Sequence, residues 1–207
     1  MSELGYSAFD ADHHYYEAED AFIRHVDPRM RRRCMQWAEI DGRKRLLVGG
    51  KINRFIPNPT FDPVALPGSL DQFFRGRNPE GKSMRELFGR LEPISPAYRD
   101  REARLEQMDS QGIGGAFLFP TLGVGMQESL RHDPEAACAA FSGFNRWLEE
   151  DWGFAYRDRL FAAPYISLMD PEWAASEVDS LIERGARLIS MVPGPVPIGE
   201  GSRSMAD

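Results

Sequence analysis

Cysteine is almost missing from this 207-residue chain: Cys34 and Cys138 are the two present, far apart and without Cys-x-x-Cys spacing. That excludes a disulfide framework and a cysteine-built zinc site, and leaves the pair as buried small residues in a reducing compartment. Long apolar runs are missing too, so no segment is expected to span a bilayer. The acidic, polar Met1-Ser2-Glu3-Leu4 start is unlike a signal peptide. A cytoplasmic location, with no membrane partner, is the expectation. Excess positive charge is also lacking. The 25 Lys and Arg against 32 Asp and Glu give a formal charge of −7, the wrong field for a nucleic-acid partner. What remains is a globular composition, 42% hydrophobic and 28% charged, long enough to bury a core.

Against that background one stretch stands out, Phe9-Asp10-Ala11-Asp12-His13-His14-Tyr15-Tyr16-Glu17. Its apolar lead-in of Tyr6, Ala8 and Phe9 predicts a first β-strand ending in polar groups. Side chains two apart on a strand share a face. Alternation therefore places Asp10, Asp12 and His14 on one face and Ala11, His13 and Tyr15 on the other. Asp12 and His14, a carboxylate and an imidazole at Asp-x-His spacing, are candidate ligands for one divalent metal. Asp10, deeper on the same face, reads as structural, and His13 as a hydrogen-bonded structural histidine.

Further on, Asp20 to Arg33 mixes apolar residues with five arginines, and Pro28 breaks it into a short helix and a second helical piece. The arginine run reads as a solvated face. Asp41-Gly42 links the strand-like runs Gln36–Ile40 and Arg43–Val48, which predicts a β-hairpin. The Pro- and Asn-rich stretch from Lys51 to Gly68 reads as an extended loop. Ser69-Leu70-Asp71-Gln72 and Ser83-Met84-Arg85-Glu86 fit the capping-box pattern and mark helix starts. Residues 15–97 thus form a long insertion after the first strand, a lid or a subunit contact. Within it Arg54 is placed to reach an anionic substrate, though a surface arginine is the ordinary reading.

From residue 98 the pattern turns regular. A charged helix over Arg99 to Gln111 stops at Gly112, followed by an apolar strand over Gly115 to Pro120. Asp133-Pro134 starts a long helix whose Ala137, Ala140, Phe141, Phe144, Trp147 and Leu148 repeat at helical spacing. His132, just before that cap, reads as locally hydrogen-bonded. A third strand is expected over Phe161 to Leu168. Asp170-Pro171-Glu172 opens a helix with a buried stripe of Val178, Leu181 and Ile182, and a fourth strand follows over Ala186 to Val192. Such alternation is the signature of parallel β/α units. The Gly- and Ser-rich Ile198 to Asp207 stands where a fourth helix is due.

The Asp-Ala-Asp-His-His-Tyr-Tyr-Glu run, the Tyr98-Arg99-Asp100 to Met108-Asp109 helix and the Gly114-Gly115-Ala116-Phe117-Leu118-Phe119-Pro120-Thr121 strand together resemble the amidohydrolase-related family. That family includes aminocarboxymuconate-semialdehyde decarboxylase and other metal-dependent hydrolases and decarboxylases. The resemblance implies a (β/α)8 barrel with a metal at its C-terminal mouth. First-strand ligands in the family are His-x-His or an acidic residue-x-His, and Asp12 and His14 match the second form, which implies a single Zn or Mn. Phe119, Thr121 and Leu122 are implied as pocket lining for a small-molecule substrate, such as a carboxylic acid. In the family a histidine near the fifth strand and an aspartate near the eighth complete the site. Eight units need about 250 residues, so the chain is expected to be the N-terminal half, about four β/α units, binding metal weakly by itself. The rival expectation is a non-catalytic half-barrel that covers its strand edges as a homo-oligomer or on a partner.

Overall fold

The computed structural model describes residues 5–54 and 58–196, so the readings of Met1–Leu4, Pro57 and Ile198–Asp207 lie outside the described residues. In chain order the first elements are β1 (Ala8–His14), β2 (Met35–Ile40), β3 (Arg43–Val48), β4 (Lys51–Ile52), β5 (Val64–Ala65), α1 (Asp71–Phe74), α2 (Met84–Leu87) and β6 (Leu91–Glu92). The regular part then holds α3 (Arg101–Gln111), β7 (Ile113–Phe119), α4 (Met126–Ser129), α5 (Pro134–Asp151), β8 (Leu160–Ala162) and α6 (Pro171–Glu183). Two compact units result: Met1–Pro59 with Pro96–Asp207, and Thr60–Ser95.

The first unit is α/β, built on a parallel sheet of order β1-β7-β8. Parallel neighbours need a crossover, and each crossover here contains a helix with a readable start. The Asp100 side chain accepts from the Ala103 amide at 2.8 Å to begin α3, and Gly112 ends it at φ 71°, where a side chain would be strained. Asp133 accepts from the Ala136 amide at 3.1 Å and Pro134 takes the first turn of α5. Asp170 caps α6 in the same way through the amides of Glu172 and Trp173. At Gly115 the strands approach so closely that an added Cβ would lie 2.7 Å from the Phe9 ring.

The core lies between this sheet and α5. Phe22 stacks on Phe144 at 4.6 Å and Phe141 on Tyr165 at 4.3 Å, with Tyr15, Trp147 and Trp152 closed around them. Each such ring contributes roughly 2–3 kcal/mol by leaving water. Asn145, fully buried in α5, reads the backbone of the extended chain: it donates to the Tyr165 carbonyl at 3.0 Å and accepts from its amide at 2.8 Å. Cys34 and Cys138 are buried free thiols, and burial pushes them up to about 11 and about 12.

The hairpin forms as its Asp-Gly link dictates, β2 against β3, with Asp41 at φ 54° and Gly42 at φ 65° in the two left-handed positions. In the second unit, β5 pairs antiparallel with β6, and Ser83 completes a full capping box with Glu86 at the start of α2. The Ser69 box does not form. α1 starts from Leu70 without a side-chain cap, because the Ser69 hydroxyl donates instead to the Leu66 carbonyl at 2.5 Å.

Other expectations are corrected. Asp20 to Arg33 is a series of single turns rather than helices, the amides of Arg24 and Cys34 closing isolated helical turns that Asp27-Pro28 keeps from joining. The third strand is shorter than expected, Leu160–Ala162, since Pro164 cannot donate to a ladder. No fourth strand forms over Ala186 to Val192; the segment meets the extended chain beyond the third strand at one parallel bridge, Tyr165 to Ser190. The α6 stripe runs through Ala174 and Leu181, whereas Ile182 is 61% exposed.

Candidate functional site at the end of the first strand

Alternation along β1 is interrupted. Asp10 pairs with Ala116 and His13 with Leu118, three steps on β1 against two on β7, so one extra residue is accommodated at Ala11 and Asp12. The bulge corrects the expected faces: Asp10 joins His13, with Oδ2 3.9 Å from Nδ1, and leaves the face of His14. Asp10 keeps its structural role, accepting from the Asp12 amide at 3.0 Å. Asp12 itself is exposed within the bulge, two residues before His14.

His13 faces α3, where it meets Arg104. A guanidinium can only donate, so Arg104 Nη1 donates to His13 Nε2, and Nη2 donates to the His14 carbonyl at 3.1 Å. The Arg104 guanidinium lies 4.8 Å over the Tyr98 ring. Burial lowers Arg104 to about 10, and burial together with the Arg104 charge lowers His13. His13 is thus the hydrogen-bonded structural histidine its sequence position suggests.

His14 lies on the opposite face with Phe119, ring centroids 6.3 Å apart, at the C-terminal ends of β1 and β7. Its Nδ1 is 3.3 Å from the Pro120 carbonyl and 3.5 Å from the Thr121 hydroxyl. Three residues singled out in the sequence, His14, Phe119 and Thr121, therefore meet. Leu122 is buried in the following turn. Arg54 is exposed beyond β4 and, among the described residues, nothing links it to His14. His132 accepts a local hydrogen bond from Arg131.

One group escaped the sequence reading. Glu17 is buried, and its carboxylate accepts from the amides of Thr121 at 3.1 Å, Leu122 at 3.0 and 2.9 Å, and Gly123 at 2.8 Å. Burial pushes it up to about 7 against the pull of those amides, which favour the anion. The only local signal was an acid two residues after Tyr15, which is buried.

A concavity of about 510 Å3 lies at the N-terminal ends of the strands among Tyr6, Asp109 and Arg159. Arg159 there donates to the carbonyls of Ile113 and Gly114 and pairs with Asp109, which ties α3 to the sheet. Parallel α/β sheets bind ligands at the other end, where His14 stands.

No family model and no curated protein matches the chain. Among solved structures, the chain is similar to a crystal structure of an amidohydrolase from Mycobacterium avium subsp. paratuberculosis K-10, with 45% identity and a TM-score of 0.91. The match covers 97% of this chain and 53% of that one, so the chain spans about half the length of the amidohydrolase it matches. This likeness supports the resemblance to the amidohydrolase-related family for a chain whose own fold is α/β with a parallel sheet.

Proposed function

We propose that this chain carries the first-strand part of the active site of a metal-dependent hydrolase or carboxy-lyase, with Asp12 and His14 as ligands of a divalent ion such as Zn or Mn. Support comes above all from 45% identity to an amidohydrolase along nearly the whole chain, with an acid-x-His pair at the C-terminal end of β1. A carboxylate oxygen and an imidazole nitrogen are a donor set that suits such ions. Among the described residues no group of three or more His, Cys, Asp or Glu converges on one point. The remaining coordination is therefore assigned to groups outside those described, and metal binding by this chain alone is weak. When bound, the ion supplies Lewis acidity toward a substrate oxygen or a water.

The chain's own residues orient and select. Thr121 and Phe119 border His14 and would line a pocket for a small substrate, a carboxylic acid among the candidates. Arg54 is a candidate partner for its carboxylate. The acid-x-His form favours decarboxylation over hydrolysis within the family it resembles, an inference by analogy. Equilibrium dialysis of the purified chain against excess zinc, beside Asp12→Ala and His14→Ala, tests the assignment. Weak zinc uptake by the parent that both variants lose is the expected result; equal uptake in all three contradicts it.

A second reading has its own observation. Phe9 is 49% exposed although it touches Phe117 and Phe161 across the sheet, the condition of a face that another chain covers. A non-catalytic half-barrel predicts a homo-oligomer whose state and metal content are indifferent to Asp12→Ala.

A further inference from the structure

Both groups beside Nδ1 of His14 are acceptors. The Pro120 carbonyl at 3.3 Å can do nothing else, and the Thr121 hydroxyl, 3.5 Å away, spends its proton on the Tyr15 carbonyl at 2.8 Å. Nδ1 therefore carries the proton, and the lone pair stands on Nε2, the nitrogen left for a ligand. That choice depends on where Pro120 and Thr121 are held. Neither belongs to β7, which ends at Phe119.

Glu17 holds them. Its carboxylate collects the three consecutive amides that follow Pro120, those of Thr121, Leu122 and Gly123, at 2.8–3.1 Å. The packing around this turn leaves little freedom: a Cβ on Gly123 would lie 3.0 Å from Pro120 and 3.4 Å from Glu17 Oε1. On the strand side, Arg104 fixes the His14 carbonyl. The imidazole is thus gripped from two directions, and only the grip through Glu17 determines which ring nitrogen is free.

We propose that Glu17 is the positioning residue of this site: through the Thr121–Gly123 turn it holds the two acceptors on Nδ1 of His14, so that Nε2 faces the ligand. The proposal rests on His14 being a metal ligand only for its consequence, since the tautomer exists without metal. Glu17 touches neither ion nor substrate, and its effect passes through the turn.

The test is 15N NMR of the histidine rings in the metal-free full chain, above the imidazole titration range, followed by zinc titration of the same samples. The wild type is expected to show a protonated Nδ1 and a bare Nε2 at His14. Glu17→Met, which removes every acceptor, is expected to lose that preference and to weaken zinc binding roughly 10- to 100-fold, the usual cost of losing an outer-shell partner. Glu17→Gln keeps an oxygen for the amides now on Oε1 and is expected to restore the wild-type tautomer. Should Glu17→Met not fold, Glu17→Asp withdraws the same acceptors by one methylene and is read in its place. A protonated Nε2 in the wild type, or an unchanged His14 in a folded Glu17→Met or Glu17→Asp, overturns the proposal. Zinc uptake absent from the wild type, with the tautomer still moving between variants, upholds Glu17 and overturns the metal assignment instead.

Discussion

On the side of the β1-β7-β8 sheet that carries His13, Ala116 and Leu118 are completely enclosed, and even the polar groups there, Asp10, His13 and Arg104, are tied to one another. On the side that carries His14, Phe9, Phe117 and Phe161 touch one another, yet Phe9 stays half in water. The same strands make both faces. The enclosed face supplies stability, and the open one presents the side chains of the proposed site. The bulge at Ala11 and Asp12 sorts the polar residues, sending Asp10 and His13 to the enclosed face and leaving His14 on the open one, with Asp12 exposed in the bulge.

Truncation on the two faces should break this symmetry most sharply. Leu118→Ala is expected to cost about 3 kcal/mol, the central cost of a buried cavity. Phe117→Ala should cost about 1 kcal/mol, because a ring only partly removed from water loses less when deleted. Urea unfolding of both variants measures the difference; equal costs would mean the open face is as enclosed as the other.

A comparable effect comes from Glu17. Its carboxyl is held at about 7 in the folded chain, above its ordinary 4.5. Between those values the unfolded chain has released the proton and the folded chain keeps it. Stability from this group is therefore complete below pH 4.5 and falls as pH rises to 7, by about 3 kcal/mol, and is level above. Unfolding free energies of the wild type and Glu17→Gln across that range should differ in slope by this amount. Parallel curves would show the carboxyl to be ionised throughout.

The smallest effect on stability is expected at the candidate ligands. Asp12 and His14 are exposed, so Asp12→Ala and His14→Ala should shift unfolding by about 0.5 kcal/mol or less while removing metal. A large destabilisation at His14 would place it with the structural groups of the enclosed face.

The elements legible in the sequence are those whose signal is local. Asp41-Gly42 supplies both left-handed residues of its turn, and Asp100, Asp133 and Asp170 each cap the helix their position announces. The meeting of His14, Phe119 and Thr121 was legible because the ends of parallel strands come together whatever the loops do. The missing parts depend on distant partners. The bulge is visible only when β1 is laid against β7, since Asp10-Ala11-Asp12-His13-His14 alternates well enough by itself. Glu17 lies over a hundred positions from the amides it gathers and carries no spacing that reveals them. The absent fourth strand is the same lesson in reverse: Ala186 to Val192 has the composition of a strand, and one bridge at Ser190 is all the pairing it receives.

The chain has four histidines, at positions 13, 14, 25 and 132, and their ring nitrogens report separately. Zinc titration followed at those nitrogens tests the central assignment most directly. The account predicts that Nε2 of His14 shifts and saturates while His13, held by Arg104, does not move, and that the shift disappears in Asp12→Ala. A response at His25 or His132 instead, or at His14 regardless of Asp12, would contradict it.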